Sequence, residues 1–458
     1  MAGPRDTALQ ALLASLVVGV VCAALSLAAP LRASGADTAP GRYGAAVFAC
    51  QSTLDLREVD WMAAYDAADS LPYYAARARG GAVISVFGPA PAFMGAPFME
   101  GLAAGSVFTD LELERRARHA SALALGLAAT LLCAALCART SPLGAGALAL
   151  VTSLSYAGVP TLGQGLWQQT ALMVPLMAAV ATVAWASWRG GVLLVFTPGL
   201  LLIAALTRPN AAILVVAVGV TWILAMRPKA SRRTLVAVAV PLTVLLGFPQ
   251  LAWNASQTSD PFGIGAYLAV HTTHGAGLRS SPSWFFSSLL GLAFSPARGL
   301  LFFAPALLVS IYVGIRHGDR AARVLAAGIL LHIVPVAMYY NWWGGWAFGP
   351  RMLTEAVWLG PLLLVPIPAS RLLRTLLVGT GVVTVAVGLL GTFRWEIGVW
   401  DLRRDPDLHH EALWDALDSP IVAMLRGGSI PTIDAPKGPY EYCVSRALRT
   451  VRLVPRHP

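Results

Sequence analysis

The chain has 458 residues, of which 57% are hydrophobic and only 12% are charged. Soluble globular domains carry about a quarter charged residues, so this composition excludes an ordinary soluble protein. It also excludes an intrinsically disordered chain, because disorder requires low hydrophobicity and a high net charge. The net charge of +10 acquires meaning only when the basic residues are placed relative to a membrane. The composition therefore predicts an integral membrane protein.

Long apolar runs predict an all-α, polytopic membrane protein with about eleven transmembrane helices. A bilayer core about 30 Å thick needs roughly 20 apolar residues per helix, with about 17 to 25 tolerated. The first run is interpreted as an uncleaved helix rather than a signal peptide, because its flank carries only Arg5 against Asp6. The predicted spans are 9–31, 119–138, 143–158, 168–187, 191–207, 210–226, 233–253, 300–316, 321–340, 352–369 and 372–393.

Basic residues in the short loops predict the orientation. Lys and Arg are enriched in cytoplasmic loops, and one set of alternate loops contains eleven of them, whereas the intervening short loops contain only Arg208 and Arg351. We therefore expect a multi-pass plasma-membrane protein with a cytoplasmic N-terminus and an extracytoplasmic C-terminus. Residues 1–393 then form the transmembrane domain, with 32–118 as a first extracytoplasmic loop containing interfacial helices. Residues 394–458 form an extracytoplasmic tail.

Carboxylates are concentrated outside the predicted spans. Of the 23 acidic residues, ten lie in the first outer loop and nine in the tail, and only Glu355 lies within a span. Proton-coupled transporters usually carry ionisable groups inside their helices, so this distribution favours an enzyme acting at the outer face. Asp37 follows the first span closely and is expected near the depth of the lipid head groups. Partial desolvation there shifts the pKa of a carboxyl group and can suit it to act as a general base. The alternative is an ordinary turn residue before Pro40.

Two further stretches of the first outer loop are candidates to lie near Asp37 at the membrane surface. In 53–60 (TLDLREVD), apolar residues alternate with Asp55, Arg57 and Asp60, which is typical of a short amphipathic piece on the membrane surface. Its acids then face either the outer cavity or plain water. The apolar stretch 82–104 is interrupted by three prolines, which favours an interfacial segment walling an outer groove over a spanning helix.

Two motifs place an arginine at the outer membrane surface. They are 295–299 (SPARG) and 339–351 (YYNWWGGWAFGPR), which contain Arg298 and Arg351. A guanidinium beside Pro and Gly suits a phosphate, which it grips through two parallel hydrogen bonds. Glu355 stands four residues after Arg351, where an i,i+4 pair would hold the guanidinium. The alternative for such arginines is snorkelling at helix ends.

Aromatic and amide side chains in two outer loops are candidate sugar contacts. Trp342, Trp343 and Trp346 are suited to stacking on a sugar ring or a prenyl chain, although an aromatic belt that anchors helix ends is the alternative. The uncharged loop 161–169 (TLGQGLWQQ) either donates amides to sugar hydroxyls or simply caps the next helix.

Cysteines and histidines point to no metal site. Cys22, Cys133 and Cys137 lie within apolar runs and are expected to pack as small hydrophobes. Cys50 and Cys443 both fall in outer segments and are candidates for a disulfide. His271 and His274 stand three residues apart without nearby carboxylates, and we assign no metal ligands, although the acids of the first loop could hold Mg²⁺ or Mn²⁺ through oxygens.

Several of these motifs together resemble a known family. They are the RYG and STLDL runs of the first outer loop, GLWQQ, LLGLAFSPARGLLFFAP and YYNWWGGWAFGPRMLTEAVWLGP. The chain resembles the GT-C superfamily of membrane glycosyltransferases, and is similar to protein O-mannosyltransferases and other polyprenyl-phosphate-dependent enzymes. The resemblance extends from the first span to the LWDALDSP piece of the tail.

The resemblance implies an inverting glycosyltransferase that moves a sugar from a polyprenyl-phosphate donor to a hydroxyl of a glycan, lipid or protein acceptor at the extracytoplasmic face. Asp37 would be the base, with Asp55 as the alternative and Asp60 assisting. Relatives show two adjacent acids here, whereas this chain has Asp37 followed by Thr38. Arg298 and Arg351 would bind the phosphate. The expected substrate contacts are Tyr43, Trp167, Gln168, Trp342 and Trp343.

Two rival functions remain open. One is a transporter or flippase of lipid-linked sugars, a class that tends to show repeated halves with broken helices. The other is a non-catalytic protein of the same general fold, which the missing acidic pair makes credible. Membrane lipid is an expected partner in every case, and nucleic acid in none.

Overall fold

Helices account for nearly all of the regular structure. The computed structural model describes residues 4–31, 36–103, 105, 107–186, 192–225, 232–258, 260–263, 277–365, 370–395, 400–427 and 450–453. Within these ranges the only strands are four three-residue segments that form two small antiparallel pairs. The prediction of an all-α protein is therefore confirmed.

A small folded unit, residues 36–109, follows the first helix, α1 (Pro4–Ala28). We call this unit the cap. Its hydrophobic core, which includes Val47, Leu56 and Met62, is distinct from the core of the long helices. Its elements are a 3-10 turn (Ala36–Thr38), α2 (Ala39–Gln51), a 3-10 turn (Leu56–Glu58), α3 (Asp60–Ala67), β1 (Ala75–Arg77), β2 (Val83–Ser85), α4 (Ala90–Gly95), a 3-10 turn (Ala96–Met99) and β3 (Val107–Thr109).

The remaining helices form the body of the molecule. They are α5 (Asp110–Cys137), α6 (Pro142–Ser153), α7 (Gln168–Trp185), α8 (Thr197–Thr207), α9 (Ala212–Ala225), α10 (Arg232–Thr258), α11 (Pro282–Phe294), α12 (Leu300–Phe303), α13 (Pro305–His317), α14 (Arg320–Met338), α15 (Thr354–Leu359), α16 (Arg371–Arg394), α17 (Asp401–Arg404) and α18 (Pro420–Leu425). Two 3-10 turns, Arg351–Leu353 and Gly360–Leu364, flank α15, and β4 (Thr450–Arg452) is the final element.

Six helices of the described ranges are long and apolar enough to cross a membrane. They contain Ala8–Ala28, Asp110–Cys137, Gln168–Trp185, Val236–Thr258, Arg320–Met338 and Arg371–Arg394. Four shorter apolar stretches of 10 to 17 residues accompany them. These helices are consistent with a membrane protein, whereas eleven full spans are not reached within the described residues.

Prolines explain where two of the expected spans are interrupted. The expected span 300–316 divides into α12 and α13 at Ala304, whose φ of −149° lies outside the helical region. A residue that precedes proline, as Ala304 precedes Pro305, is disfavoured in helical conformation. The described part of the expected span 352–369, residues 352–365, contains the six-residue helix α15 between two 3-10 turns, the second of which contains Pro361.

Helix α11 lies between two of the predicted spans, in a stretch where no span is expected. It begins after Ser281 with Pro282 in its first turn, where the missing N–H of proline costs nothing. Phe286, Leu290 and Phe294 are more than half exposed on one face, as expected of a helix that contacts lipid. Its 13 residues are too few for the length expected of a spanning helix.

Helices α1 and α5 cross at close range because both carry glycine at the contact. A Cβ on Gly19 would lie 2.7 Å from the carbonyl oxygen of Gly126, and a Cβ on Gly126 would lie 2.8 Å from that of Gly19. Small residues at such crossings allow backbones to approach within membrane bundles. A side chain at either position would push the two helices apart.

The end of the chain returns to the cap. β4 pairs antiparallel with β3, with Val451 opposite Phe108, and Leu453 bridges to Val59. Val451 and Leu453 are fully buried in the core of the cap. The cap and the final strand therefore lie at the same end of the helical body.

Candidate functional site

A carboxylate–guanidinium pair joins the cap to the second half of the chain. Oδ2 of Asp37 accepts a hydrogen bond from Nη2 of Arg351, 314 residues away, and Oδ1 accepts one from the hydroxyl of Tyr73. The guanidinium carbon of Arg351 lies 4.5 Å from the ring centroid of Trp167, a cation–π contact that fixes its plane. The Asp37 side chain retains 20% exposure, so this pair is reachable from outside.

The electrostatics of the pair favour a charged arginine and a neutral tyrosine. Burial lowers the pKa of Arg351, but the Asp37 carboxylate raises it further, and the net shift is upward. Desolvation and the adjacent Asp37 carboxylate raise the pKa of Tyr73 well above its usual value. Tyr73 was not among the residues expected from the sequence. Its position in a cap loop, far from any motif, gives no sequence signal.

A glycine turn brings the backbone close to Arg351. Gly344 and Gly345 have φ of 81° and 64°, values that side-chain-bearing residues rarely adopt. The N–H of Gly345 donates to Oδ1 of Asn341 at 2.8 Å, which closes the turn. A Cβ on Gly344 would lie 3.0 Å from Cγ of Arg351. The two glycines are therefore needed for the arginine to reach Asp37.

Arg298 occupies a different environment from the one expected. Its side chain is fully buried, pairs with Asp401, and donates from Nη2 to the carbonyl oxygen of Gly345 at 3.2 Å. Asp401 also accepts from the indole of Trp395 at 3.2 Å. The buried pair therefore connects the start of the tail to the helical body. Because Arg298 is fully buried, the expected contact between Arg298 and a phosphate is not supported.

The indoles of the aromatic motif bind carboxylates of the tail. Nε1 of Trp343 donates to Oδ1 of Asp407 at 2.8 Å, and Nε1 of Trp346 donates to Oδ1 of Asp405 at 3.1 Å. Trp342 is 4% exposed and packs against Gly291, where a Cβ would lie 2.2 Å from its ring. The expected sugar-stacking surface at Trp342 and Trp343 is therefore occupied by protein contacts.

Asp407 is an additional candidate for acid–base chemistry. Partial burial raises its pKa and repulsion from Asp405 adds to this, while the Trp343 hydrogen bond and the charges of Arg298 and Arg351 oppose it. Asn341, which closes the turn beside Arg351, also donates from Nδ2 to Oδ1 of Asp407 at 3.4 Å, so Asp407 lies close to this turn. The sequence showed that the tail is rich in acids, but it gave no partner for any of them.

Asp55 and Asp60 do not join the pair. Asp55 accepts bonds from the Arg57 guanidinium, with the shortest at 2.6 Å, and from the N–H of Val83 at 3.0 Å. Burial raises the pKa of Asp55, but these bonds lower it further, and the net shift is downward. Asp60 is exposed at the start of α3. Asp55 therefore ties two cap segments together, and Asp60 faces solvent.

Tyr43 belongs to a buried ion cluster inside the cap. Its hydroxyl donates to Asp110, and the neighbouring Arg42 pairs with Asp110 at 3.5 Å and with Glu114 at 3.1 Å. All three charged side chains are at most 5% exposed. Tyr43 thus connects α2 to α5 through Asp110, and the expected contact of Tyr43 with a substrate is not supported.

Gln168 and Glu355 also have partners other than those expected. Nε2 of Gln168 donates to the carbonyl oxygen of Phe87 at 2.9 Å, which fastens α7 to the cap. Glu355 pairs with Arg208 rather than Arg351. Because Arg351 lies in a 3-10 turn before α15, the two residues do not share the regular helix that an i,i+4 pair requires.

Metal ligands are not grouped within the described ranges. No set of three or more His, Cys, Asp or Glu side chains with suitable geometry occurs there. His271, His274 and Cys443 lie outside the described residues, so the histidine pair and the disulfide to Cys50 stay predictions. A requirement for Mg²⁺ or Mn²⁺ also stays a prediction.

The fold and the site thus define an all-α protein with membrane-type helices and a partly accessible Asp–Arg–Tyr–Trp cluster at one end. No protein-family model matches the chain, and no curated protein matches it in sequence.

Proposed function

We propose that the protein is an inverting membrane glycosyltransferase of the GT-C type that uses a polyprenyl-phosphate sugar as donor and a hydroxyl as acceptor. The observation that carries the proposal is the pairing of Asp37 with Arg351 beside Trp167 and Tyr73. A base and a fixed cation side by side are what sugar transfer from a phosphate requires.

The proposed reaction assigns one role to each member of the pair. The acceptor oxygen attacks the anomeric carbon, its proton passes to the Asp37 carboxylate, and the bond from that carbon to the phosphate oxygen breaks. The bonding electrons leave with the polyprenyl phosphate, whose charge Arg351 neutralises. Attack from the face opposite the leaving group inverts the anomeric centre.

Arg351 has capacity for a phosphate beyond its bond to Asp37. Its Nε is buried and has no hydrogen-bond partner among the described residues, and an unsatisfied buried donor is costly. A phosphate oxygen at Nε would satisfy it while Nη2 stays near Asp37. Asp407, whose pKa is raised, is the second candidate base in this proposal.

The membrane helices supply the setting for such a donor. A polyprenyl chain stays in the bilayer, so the site must lie at a membrane face, and the six long apolar helices make this arrangement feasible. The excess of Lys and Arg in alternate loops supports a cytoplasmic N-terminus. The cap, the site and the C-terminus would then be extracytoplasmic.

Transfer from a radiolabelled polyprenyl-phosphate sugar to a hydroxyl acceptor tests the proposal. Asp37→Asn keeps the size of the side chain and removes the base, and Arg351→Lys keeps the charge and removes the planar fork. We expect each variant to lose activity by about 10²- to 10⁴-fold. Glu100→Gln, which changes an exposed carboxylate of the cap, is the matched control and should retain activity.

Full transfer activity in both site variants would refute this mechanism. Directional flux of a lipid-linked sugar without product would instead favour the transporter. One observation favours the transporter, namely a group of buried ionisable residues. Arg208 and Glu355 form a buried pair near the buried His332, whose Nε2 lies 3.3 Å from the carbonyl oxygen of Met352. Conversion of the donor to product separates the two functions.

A further inference from the structure

A cavity of about 780 Å³ lies at the end of the helical body opposite the cap. It is lined by the last turns of α5, α7 and α9 and by the first turns of α14. The other ends of these helices face the candidate site, since Asp110 bonds to Tyr43 and Gln168 bonds to Phe87. The cavity is therefore separate from the Asp37–Arg351 pair.

The lining of the cavity has two chemically different parts. The walls are mostly aliphatic and include Val180, Val183, Val218, Leu224 and Leu325. The rim is charged and consists of Arg139, Asp319, Arg320 and Arg323. A volume of this size is within the range of small-molecule pockets, and its walls would be filled by hydrocarbon rather than by water.

Two of the four charged residues of the rim form an ion pair with each other, and the other two do not. Arg139 and Asp319 pair with each other, and Asp319 also caps α14 through the N–H of Ala322 at 2.9 Å. Arg320 and Arg323 are exposed and make no ion pair with any described residue. The rim thus presents two cations, three residues apart in the first turn of α14, beside the apolar walls.

We propose that this cavity binds a membrane phospholipid with an anionic head group. The acyl chains would occupy the aliphatic walls between α7 and α9, and Arg320 and Arg323 would hold the head-group phosphate. Basic pockets between membrane helices on the cytoplasmic side are suited to acidic lipid head groups. A zwitterionic lipid would fill the walls equally well but would gain less from the two arginines.

Native mass spectrometry of the full-length protein in detergent tests the proposal. The protein is offered equal amounts of dioleoyl phosphatidylglycerol and dioleoyl phosphatidylcholine. We expect phosphatidylglycerol to be retained preferentially, by about tenfold. The double variant Arg320→Gln/Arg323→Gln should lose that preference, and Leu224→Trp, which narrows the cavity, should reduce binding of both lipids.

Arg316→Gln is the matched control, because Arg316 is exposed in the last turn of α13 and is not part of the lining. The preference should survive in this variant. Equal retention of both lipids by the unaltered protein, or a preference that persists in the double variant, would overturn the proposal. Displacement of phosphatidylglycerol by inorganic phosphate alone would overturn it too, since the site would then recognise a soluble anion. So would unchanged binding in Leu224→Trp.

Discussion

Two arginines from the SPARG and aromatic motifs end in opposite environments. Arg298 is fully buried and pairs with the equally buried Asp401, whereas Arg351 retains 12% exposure and pairs with Asp37, which is 20% exposed. The sequence identified both arginines from their neighbours. It could not distinguish them, because the distinguishing partners lie 103 and 314 residues away and local patterns carry no information on such contacts.

The turn at Gly344 yields a prediction at the scale of one residue. Gly344→Ala should destabilise the protein by about 1 to 2 kcal/mol, the cost of a left-handed residue with a side chain, and should also reduce transfer activity by displacing Arg351. Gly81→Ala is the control, since Gly81 has φ of 77° with no atoms near its Cβ position. Thermal unfolding and the transfer assay should show a similar stability loss in both variants. An activity loss is expected only at Gly344, and equal activity in the two would contradict it.

Asp401 yields a prediction for pH. Burial raises its pKa to about 6, against the opposing effects of Arg298 and Trp395, whereas the unfolded chain has a value of about 3.9. The folded state therefore binds this proton more tightly, so its contribution to stability is present below about pH 4 and is lost as the pH rises to about 6. The change is on the order of 3 kcal/mol.

Unfolding of the wild type and of Asp401→Asn between pH 4 and 7 measures this contribution. The difference in the free energy of unfolding between the two proteins should vary over that window and be constant above it. A difference that is independent of pH would contradict the assignment.

The long apolar helices could be predicted from the sequence, because a run of apolar residues long enough to span a membrane identifies each of them. The long helices agree with the expected spans, but α5 begins at Asp110 rather than near residue 119, because its acidic first turn is capped by Thr109 and packs against the cap. Helix α11 was missed since 13 apolar residues between loops do not reach the length of a span. Residues 82–103 contain two helices of six and four residues, each with a proline in its first turn, so the expectation that the prolines interrupt a long helix is confirmed. Their expected position at the membrane interface stays a prediction.

The β3–β4 pair yields a prediction at the scale of elements. Leu453→Ala should lower the free energy of unfolding of the cap by about 2 to 5 kcal/mol, because a fully buried leucine is removed from its core. Arg452→Ser changes an exposed residue of the same strand and should have little effect. Limited proteolysis of the cap reports both variants. Equal protease resistance would show that the returning strand contributes nothing.

At the scale of the whole molecule, the cap and β4 lie at one end of the helical body, and the basic residues Arg139, Arg320 and Arg323 lie at the other. The sequence predicted this division from the distribution of Lys and Arg, and the pairing of β4 with β3 is consistent with it. The sequence could not predict how the cap, the aromatic motif and the tail share one site. Hydrogen bonds between indole and carboxylate groups, such as that of Trp343 with Asp407, leave no periodic pattern in the sequence from which they could be predicted.

Cysteine labelling yields the corresponding prediction. Gly80→Cys in the cap and Leu417→Cys in the tail, both at exposed positions, should react with a membrane-impermeant maleimide in intact cells. Arg316→Cys should react only after permeabilisation, because it lies at the opposite end. The native Cys22, Cys133 and Cys137 are buried, and Cys50 and Cys443 are replaced by serine in every variant to keep the background low. Labelling of Gly80→Cys only after permeabilisation would invert the orientation.

The return of the tail to the cap has a consequence for biosynthesis. Asp37 is synthesised well before Asp401, which pairs with Arg298, and before Leu453, which is part of the core of the cap. A nascent chain that has inserted every helix up to α15 still lacks both contacts. The cap would therefore reach its full core only after β4 has been synthesised, and a chain that stops before β4 would be inserted but would lack that part of the core.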